Sequence, residues 1–326
     1  MKTKVLSLLR TSRDYISGQE LCEQFGVSRT AVWKSINQLK EEGYEIDAIT
    51  NKGYKLKSYP DILNEHEIAS RMQTKWAGRK VIFLEETDST NVRARILAEE
   101  GLGHGALVVA DNQVGGKGRR GRSWHSPKGT SIAMSLILKP DLEAQKASML
   151  TLVQAMVVAK AVEEICGLEA QIKWPNDILV NEKKVCGILT EMNLEMMDIS
   201  SIVIGTGINV NQEEFPQDIS EIATSLKIEK KRSQSRADLI ERICELFEEY
   251  FEKFMETKDL SAILEEYNSR LISQGRMVKV LDPKGEYCAE ALGINELGEL
   301  QVQRTNGEIV NVYAGEVSVR GIYGYV

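Results

Sequence analysis

Cysteine is scarce and scattered. The five present (Cys22, Cys166, Cys186, Cys244 and Cys288) are odd in number and include no C-x-x-C pair, which argues against a disulfide framework or a zinc site and for a reducing, cytoplasmic compartment. No apolar run approaches the length that spans a bilayer, so no membrane partner is expected. A secretory pattern is missing too, because the short apolar stretch after Lys2 and Lys4 is interrupted by Arg10, Arg13 and Asp14. Histidine is limited to His66, His104 and His125, and the chain offers no Ser–His–Asp or Cys–His constellation for nucleophilic catalysis. Internal repeats and low-complexity segments are absent as well.

What remains is 326 residues, 42% hydrophobic and 27% charged, enough for two or three packed units. Net charge is −7, but residues 1–60 hold 10 Lys/Arg against 7 Asp/Glu, leaving −10 for the remainder. A slightly basic head on an acidic body fits one small nucleic-acid module attached to something else.

The first unit is expected over 1–60. Val5, Leu8 and Leu9 suit one face of a short helix. Ser17-Gly18-Gln19-Glu20 reads as a capping box that opens a second helix, with Leu21, Cys22 and Phe25 facing inward. Gly26-Val27 makes a tight break, and Ser28 caps a third helix in which Val32, Ile36 and Leu39 recur at helical spacing. Ser28, Arg29, Thr30, Trp33, Lys34 and Asn37 are then the DNA-facing candidates. Alternation at Tyr44, Ile46 and Ala48, a turn at Asn51-Lys52-Gly53, and a return through Tyr54 and Leu56 predict a β-hairpin. A helix-turn-helix over about 18–37 with a wing over about 44–57, carrying Lys52, Lys55 and Lys57, is a winged-helix arrangement suited to operator DNA. A winged helix can also bind protein, and a solvated helical domain is the bland alternative.

A second unit, 61–271, mixes strands (81–84, 106–110, 132–138, 178–180, 185–190, 202–204) with helices over roughly 146–165 and 237–255. Strands and helices do not alternate strictly, so a mixed α+β sheet is expected in place of a doubly wound parallel one. From 272 to 326 helical periodicity stops. Short alternating runs broken at Asp282-Pro283-Lys284-Gly285, Asn295-Glu296-Leu297-Gly298 and Thr305-Asn306-Gly307 predict a small β-barrel.

The most unusual stretch is Gly115-Gly116-Lys117-Gly118-Arg119-Arg120-Gly121-Arg122-Ser123-Trp124. Glycine and cations at this density build no core, and the segment is expected as a mobile loop able to wrap an anion. Gly118 stands where a Walker A loop needs Ser or Thr, which excludes a P-loop. Thr87-Asp88-Ser89-Thr90-Asn91 precedes an expected helix, as an N-cap or as a holder of a small polar ligand. Lys173-Trp174-Pro175-Asn176-Asp177 reads as a rigid turn. Asn181-Glu182-Lys183-Lys184 turns a hairpin that delivers a lysine. Gly205-Thr206-Gly207-Ile208-Asn209-Val210-Asn211, expected to follow a buried strand, lacks the third glycine of a dinucleotide fingerprint.

Taken in order, T-D-S-T-N, Q-x-x-G-(G)-K-G-R-R-G-R-S-W, K-W-P-N-D, K-x-x-G-I-L-x-E and G-x-G-I-N-V-N resemble the bifunctional biotin–protein ligase family, whose members also act as biotin operon repressors. With the helix-turn-helix before and the small barrel after, the resemblance spans the chain. It implies a biotin/lipoate-ligase-like catalytic domain, a C-terminal SH3-like β-barrel, and biotin, ATP and Mg²⁺ as ligands. By matching position, Ser89, Thr90, Asn91, Gln113, Lys117, Gly118, Arg119 and Lys184 are the biotin-contacting candidates. Arg120, Arg122, Trp124, Asn176 and Asn209 are the nucleotide candidates. Lys184, Arg119 and Asp177 are the catalytic ones, with Asp177 either positioning the acceptor amine or holding the metal, unless it merely caps a turn. The family usually carries arginine where Lys117 stands; lysine keeps the charge but loses the bidentate fork. The partners implied are a biotin carboxyl carrier protein, operator DNA, and a second copy of the chain when loaded with adenylate. Two other readings share parts of this pattern: a lipoate–protein ligase, and a metabolite-sensing repressor without transferase activity.

Overall fold

A computed structural model describes residues 1–195, 198–282, 285–313 and 318–321. The expected turn at Asp282–Gly285 includes Pro283 and Lys284, which lie outside the described residues, as do 322–326 of the last unit.

Helices α1 (Lys2–Thr11), α2 (Gly18–Phe25) and α3 (Arg29–Glu41) are followed by the hairpin β1 (Glu45–Ile49) and β2 (Gly53–Ser58). The caps read from sequence are made: Ser17 Oγ accepts from Glu20 N, and Ser28 Oγ accepts from Ala31 N. Gly26 ends α2 in the left-handed conformation at φ 65°. Gly53 is needed for a different reason. A Cβ there would lie 2.0 Å from the Ile16 carbonyl oxygen, because Ile16 and Tyr54 exchange backbone hydrogen bonds that tie the hairpin to the helices. Val5, Leu6, Leu9, Leu21, Val32, Ile36, Leu39 and Ile46 form a core separate from that of the rest of the chain.

The middle of the chain runs α4 (Glu65–Ala69), β3 (Val81–Thr87), α5 (Thr90–Glu99), β4 (Leu107–Lys117), β5 (Ser123–Ser126), β6 (Ser131–Leu138), α6 (Met149–Cys166), β7 (Gln171–Lys173), β8 (Asp177–Val180), β9 (Lys183–Glu195), β10 (Asp198–Asn209), α7 (Leu226–Lys230), α8 (Arg236–Thr257) and α9 (Leu264–Arg270). The strands form one mixed sheet in the order β3-β4-β6-β10-β9-β8-β7, with β5 paired to β4. Only the β3–β4 pairing is parallel among the described residues. Helix α6 is buried on nearly every side, between the sheet and α8, which accounts for its apolar composition all round. Helix α8 turns Leu239, Ile243, Leu246, Phe247, Tyr250 and Phe254 inward, as the spacing predicts.

Two expectations are corrected here. The glycine-rich cationic segment is not a bare loop: its first half extends β4, and Gly116 and Lys117 pair with Trp124 and Ser123 of β5. The tip is a single 3-10 turn at Arg119–Gly121, with Arg120 at φ 58° and Gly121 at φ 73°. The glycines make this packing feasible, since a Cβ on Gly116 would lie 2.4 Å from the Trp124 carbonyl oxygen. Likewise, Gly205 and Gly207 do not follow a strand but lie inside β10, which continues to Asn209.

Strands β11 (Met277–Leu281), β12 (Tyr287–Ile294), β13 (Leu300–Gln303), β14 (Ile309–Val312) and β15 (Ser318–Gly321) form an antiparallel sheet in the order β14-β13-β12-β11-β15. Turns sit where Gly298 and Gly307 supply positive φ, at 78° and 85°. Val278, Val280, Ala291, Leu300 and Val302 join the same core as the large sheet, and Trp174 Nε1 donates to the Gly298 carbonyl at 3.0 Å.

The N-terminal head meets the sheet domain through polar contacts. Glu67 of α4 is fully buried and accepts from Arg10 at 2.5 Å, Tyr44 at 2.5 Å and Arg71 at 2.7 and 2.9 Å. Burial, then the Glu67 charge, pushes the Tyr44 phenol well above its ordinary range. Further along, Arg236 is 2% exposed and ion-pairs with Asp61 of the connecting segment and Asp111 of β4 at 3.1 and 2.7 Å.

Candidate active site

One cavity of about 710 Å³ opens over the face of the large sheet that α6 does not cover. It is lined by every candidate for catalysis, biotin or nucleotide: Ser89, Thr90, Asn91, Gln113, Lys117, Gly118, Arg119, Arg120, Arg122, Trp124, Asn176, Asp177, Lys184 and Asn209. These positions are up to 120 residues apart in sequence (Ser89 to Asn209). The sheet order gathers them, because β4, β6, β10, β9 and β8 are successive neighbours.

At one end, the N-terminus of α5 is capped from another strand. Gln113 Oε1 accepts from the Thr90 backbone N–H at 2.9 Å and lies 3.2 Å from Thr90 Oγ1. Ser89 therefore makes no side-chain cap of its own, although it occupies the cap position, and its hydroxyl is left to line the cavity. Asn91 is 7% exposed and donates to the Leu189 carbonyl and to Glu191 at 3.2 and 2.8 Å. Its amide lies against Gly205, where a Cβ would approach Asn91 Oδ1 to 2.2 Å.

At the other end stand the cations. The hairpin turn between β8 and β9 takes positive φ at Asn181 and Glu182, 49° and 63°, and returns Lys184 beside Asp177, with Nζ 2.6 Å from Oδ1. Arg119 reaches over from the β4–β5 arm and donates to Asn176 Oδ1 at 3.0 Å. Burial lowers the Arg119 pKa, and the Asp177 charge opposes that shift; the group keeps its charge at neutral pH. Asn176 is itself fixed by an exchange of hydrogen bonds with Ile188. Lys117, Arg120 and Arg122 are exposed on the arm.

Trp124 forms the floor between the two ends. Its indole lies over Gly207, where a Cβ would sit 2.3 Å from Nε1, and Lys184 Nζ is 5.4 Å from the ring centroid. Gly207→Ala should therefore lever the indole out of place. We expect the KM for ATP to rise at least tenfold, together with an overpacking cost of about 1–3 kcal/mol. Steady-state kinetics with unchanged nucleotide affinity would rule out this role for Gly207.

The sequence reading passed over two parts of the site. The segment 212–223 lays Phe215, Pro216, Ile219 and Ile222 along the cavity, held by Lys184, which exchanges backbone hydrogen bonds with Ile222 and Thr224, and by Asn209, whose amide donates to the Thr224 carbonyl at 3.1 Å. Its only signal was a proline with apolar residues outside any regular period. Ser135 was also missed; it interrupts the fully buried strand β6. Asp177, expected to position the amine or hold a metal, is engaged by Lys184. Among the described residues no three acidic, histidine or cysteine side chains converge as a metal site.

On the head, Ser28, Arg29, Thr30, Trp33 and Lys34 are exposed and Asn37 is partly exposed; Trp33, a large apolar side chain, is 59% exposed. Arg29 is braced by Gln19 at 2.9 Å, and Lys55 of the hairpin donates to the Arg13 carbonyl at 2.6 Å. No helix among the described residues is long and apolar enough to cross a membrane.

A mixed sheet carrying a cationic hairpin over a largely apolar cavity with polar groups at its two ends, and a helix-turn-helix ahead of it, defines a class. Residues 83–209 match the biotin/lipoate A/B protein ligase family, 2–55 match an HTH domain, and 274–320 match the biotin protein ligase C-terminal domain. The chain is 40% identical over 312 residues to the bifunctional ligase/repressor BirA of Bacillus subtilis, covering 95% of each protein. Against the bifunctional ligase/repressor BirA of Escherichia coli it is 29% identical over 317 residues, covering 97% of this chain and 96% of that one. Among solved structures it resembles the biotin protein ligase from Aquifex aeolicus in complex with biotin and ATP, at a TM-score of 0.66 and 32% identity over 74% of this chain and 99% of that one. The chain belongs to the bifunctional biotin protein ligase/repressor family.

Proposed function

We propose that this protein joins biotin to a lysine of a biotin carboxyl carrier protein at the expense of ATP, and represses biotin synthesis or uptake genes when it holds the intermediate. The observation that carries the reading is one shared cavity lined by the Thr90–Gln113 polar pocket, Lys184 and the arginine-bearing arm.

In the first step an oxygen of the biotin carboxylate attacks the α-phosphorus of ATP. The new C–O–P linkage forms as the bond to pyrophosphate breaks, giving biotinoyl-5′-AMP. Two anions must meet, and at 4 Å and an effective dielectric near 20 each unit-charge pair repels by about 4 kcal/mol. Lys184, Arg119 and the exposed arm cations offset that repulsion, so positioning and charge suffice without an enzyme nucleophile. The apolar side chains of 212–223 and the Trp124 indole suit the flat faces of a purine. In the second step the neutral carrier lysine amine attacks the anhydride carbonyl, an amide forms as the nitrogen releases a proton to solvent, and AMP departs with the bonding pair. The Asp177 carboxylate, 2.6 Å from Lys184, is placed to order the incoming amine. Asp177 would be the carboxylate to hold a magnesium ion, which commonly needs only one or two and would supply charge neutralisation for the nucleotide phosphates.

The exposed N-terminal half of α3 fits the major groove, with the β1–β2 hairpin across the phosphates. A two-fold operator would be read by two copies of the chain, and we place that pairing in the adenylate-loaded form. ATP and chromosomal DNA as ligands support a cytoplasmic site of action. The test is direct: incubate the protein with ATP, Mg²⁺, biotin and a carrier domain, then weigh the carrier. A gain of one biotinyl group is expected, with none from lipoate. An unmodified carrier together with a protected operator would leave a metabolite-sensing repressor.

A further inference from the structure

Glu191 closes the K-x-x-G-I-L-x-E motif, yet the chemistry above gives it no part. It is exposed at the rim of β9, and its carboxylate accepts from Asn91 Nδ2 at 2.8 Å. The same Nδ2 faces the Leu189 carbonyl at 3.2 Å. Both partners can only accept, so the nitrogen of the Asn91 amide is fixed on that side and Oδ1 must point the other way.

Oδ1 points at Ser135, 2.6 Å from its hydroxyl oxygen. An amide oxygen cannot donate, so the one Ser135 hydroxyl hydrogen goes to Asn91. Ser135 is fully buried, and its Oγ lies 2.8 Å from Thr90 Oγ1. With the Ser135 hydrogen already committed, the Thr90 hydroxyl supplies the donor across that contact. The alternative, Thr90 donating to Gln113 Oε1, spans the longer 3.2 Å and would leave a buried hydroxyl oxygen without a donor, at a cost of about 1–3 kcal/mol. The chain therefore runs one way, from Thr90 through Ser135 and Asn91 to Glu191.

The consequence falls on the ligand. Thr90 Oγ1 turns only lone pairs toward the cavity. Gln113 Oε1, oriented by the Thr90 backbone N–H, does the same from 3.2 Å away. Two acceptors side by side are served by one donor placed between them. We propose that Ser135, backed by Asn91 and Glu191, is a positioning residue that sets specificity: it holds the Thr90 hydroxyl as an acceptor, so this end of the cavity selects a ligand that presents an N–H there, as a cyclic urea does. The inference rests on the biotin reading and names the atoms that would enforce it. Lipoate, whose ring carries no N–H, would meet two unpaired acceptors.

The test compares biotin with its two cyclic carbamate analogues, each with one ureido N–H replaced by oxygen, using titration calorimetry on wild type, Ser135→Ala and Glu191→Ala. Wild type should bind biotin at least 100-fold more tightly than one of the carbamates, because an acceptor then faces acceptors. In Ser135→Ala the Thr90 hydroxyl is released and can turn to donate to the ring oxygen, so that ratio should shrink at least tenfold. A merely structural role would weaken both ligands in proportion and leave the ratio alone. Glu191→Ala, on an exposed side chain, removes that acceptor, should fold normally and should shrink the ratio about threefold, because only the Leu189 carbonyl then holds the Asn91 amide. Should Ser135→Ala fail to fold, Glu191→Ala decides the matter. A ratio unmoved in the folded variants, with wild type binding biotin, overturns this inference alone. Wild type that binds neither biotin nor the carbamates overturns the ligase reading and this inference with it.

Discussion

Lys184→Met should lower kcat/KM for adenylate formation by about 10²–10³-fold, most of it in kcat. On the proposed mechanism Lys184 stands where two anions meet, and its removal does more than delete one attraction. The Asp177 carboxylate, 2.6 Å away and 15% exposed in the wild type, would then stand without that partner beside an incoming carboxylate and phosphate. At an effective dielectric near 20 one added like-charge pair at 4 Å costs about 4 kcal/mol. Adding Asp177→Asn to Lys184→Met should therefore recover about tenfold of the lost rate, even though Asp177→Asn alone slows transfer to the carrier. Single-turnover measurement of pyrophosphate release on the four proteins of this cycle tests the coupling. A loss below fivefold in Lys184→Met, or strictly additive effects, would show that the pair is not part of the chemistry.

The second large effect is on stability, at the junction of head and sheet. Glu67→Leu should cost about 3–5 kcal/mol, because the fully buried carboxylate is the shared acceptor for Arg10, Arg71 and Tyr44, and its loss strands the Arg10 guanidinium and a phenol in a desolvated site, while Arg71 keeps Asp238 and Glu241. Arg10 and Arg71 also flank the Tyr59 ring, each 4.6 Å from its centroid, so the segment joining head and sheet should loosen with them. Denaturant titration should show a lower midpoint for the variant. Limited proteolysis should cut near 58–62 in the variant sooner than in the wild type. Equal midpoints and equal cleavage would falsify the view that this cluster fixes the head. Adenylate formation should survive in the variant, since none of Arg10, Tyr44, Glu67 and Arg71 lines the cavity.

The local signals in the sequence were strong wherever a residue's role is set by its near neighbours. The Ser17 and Ser28 caps, the Gly26 break, the α8 stripe and the turns at Gly298 and Gly307 each depend on a few adjacent positions, and each is legible from spacing alone. Family motifs extended that reach to the cavity, because their order along the chain pointed to side chains that the sheet then brings together. Where the reading stopped short, the missing information was the identity of the facing element. Gly205 and Gly207 read as following a strand; they are strand interior because β6 and β9 pair on either side of them, and they are glycine because Asn91 and Trp124 lie across them. The cationic segment looked like a free loop, and it is a hairpin arm because β5 pairs with its first half.

Thus the sequence by itself determined the helix-turn-helix with its wing, most of the strands and the two long helices through the middle of the chain, the change to short strands near its end, and the chemical types of the residues at the site. These follow from helical and strand periodicity, caps and turn residues, all of which act over a few positions. The tertiary structure alone decided that Gln113 caps α5, that Lys184 faces Asp177, that Glu67 binds the head to the sheet, and that Ser135 gives direction to the hydrogen bonds behind Thr90. Those contacts join residues 7 to 45 positions apart, and what fixes them is the order of strands in the sheet and the burial of polar groups that must find partners.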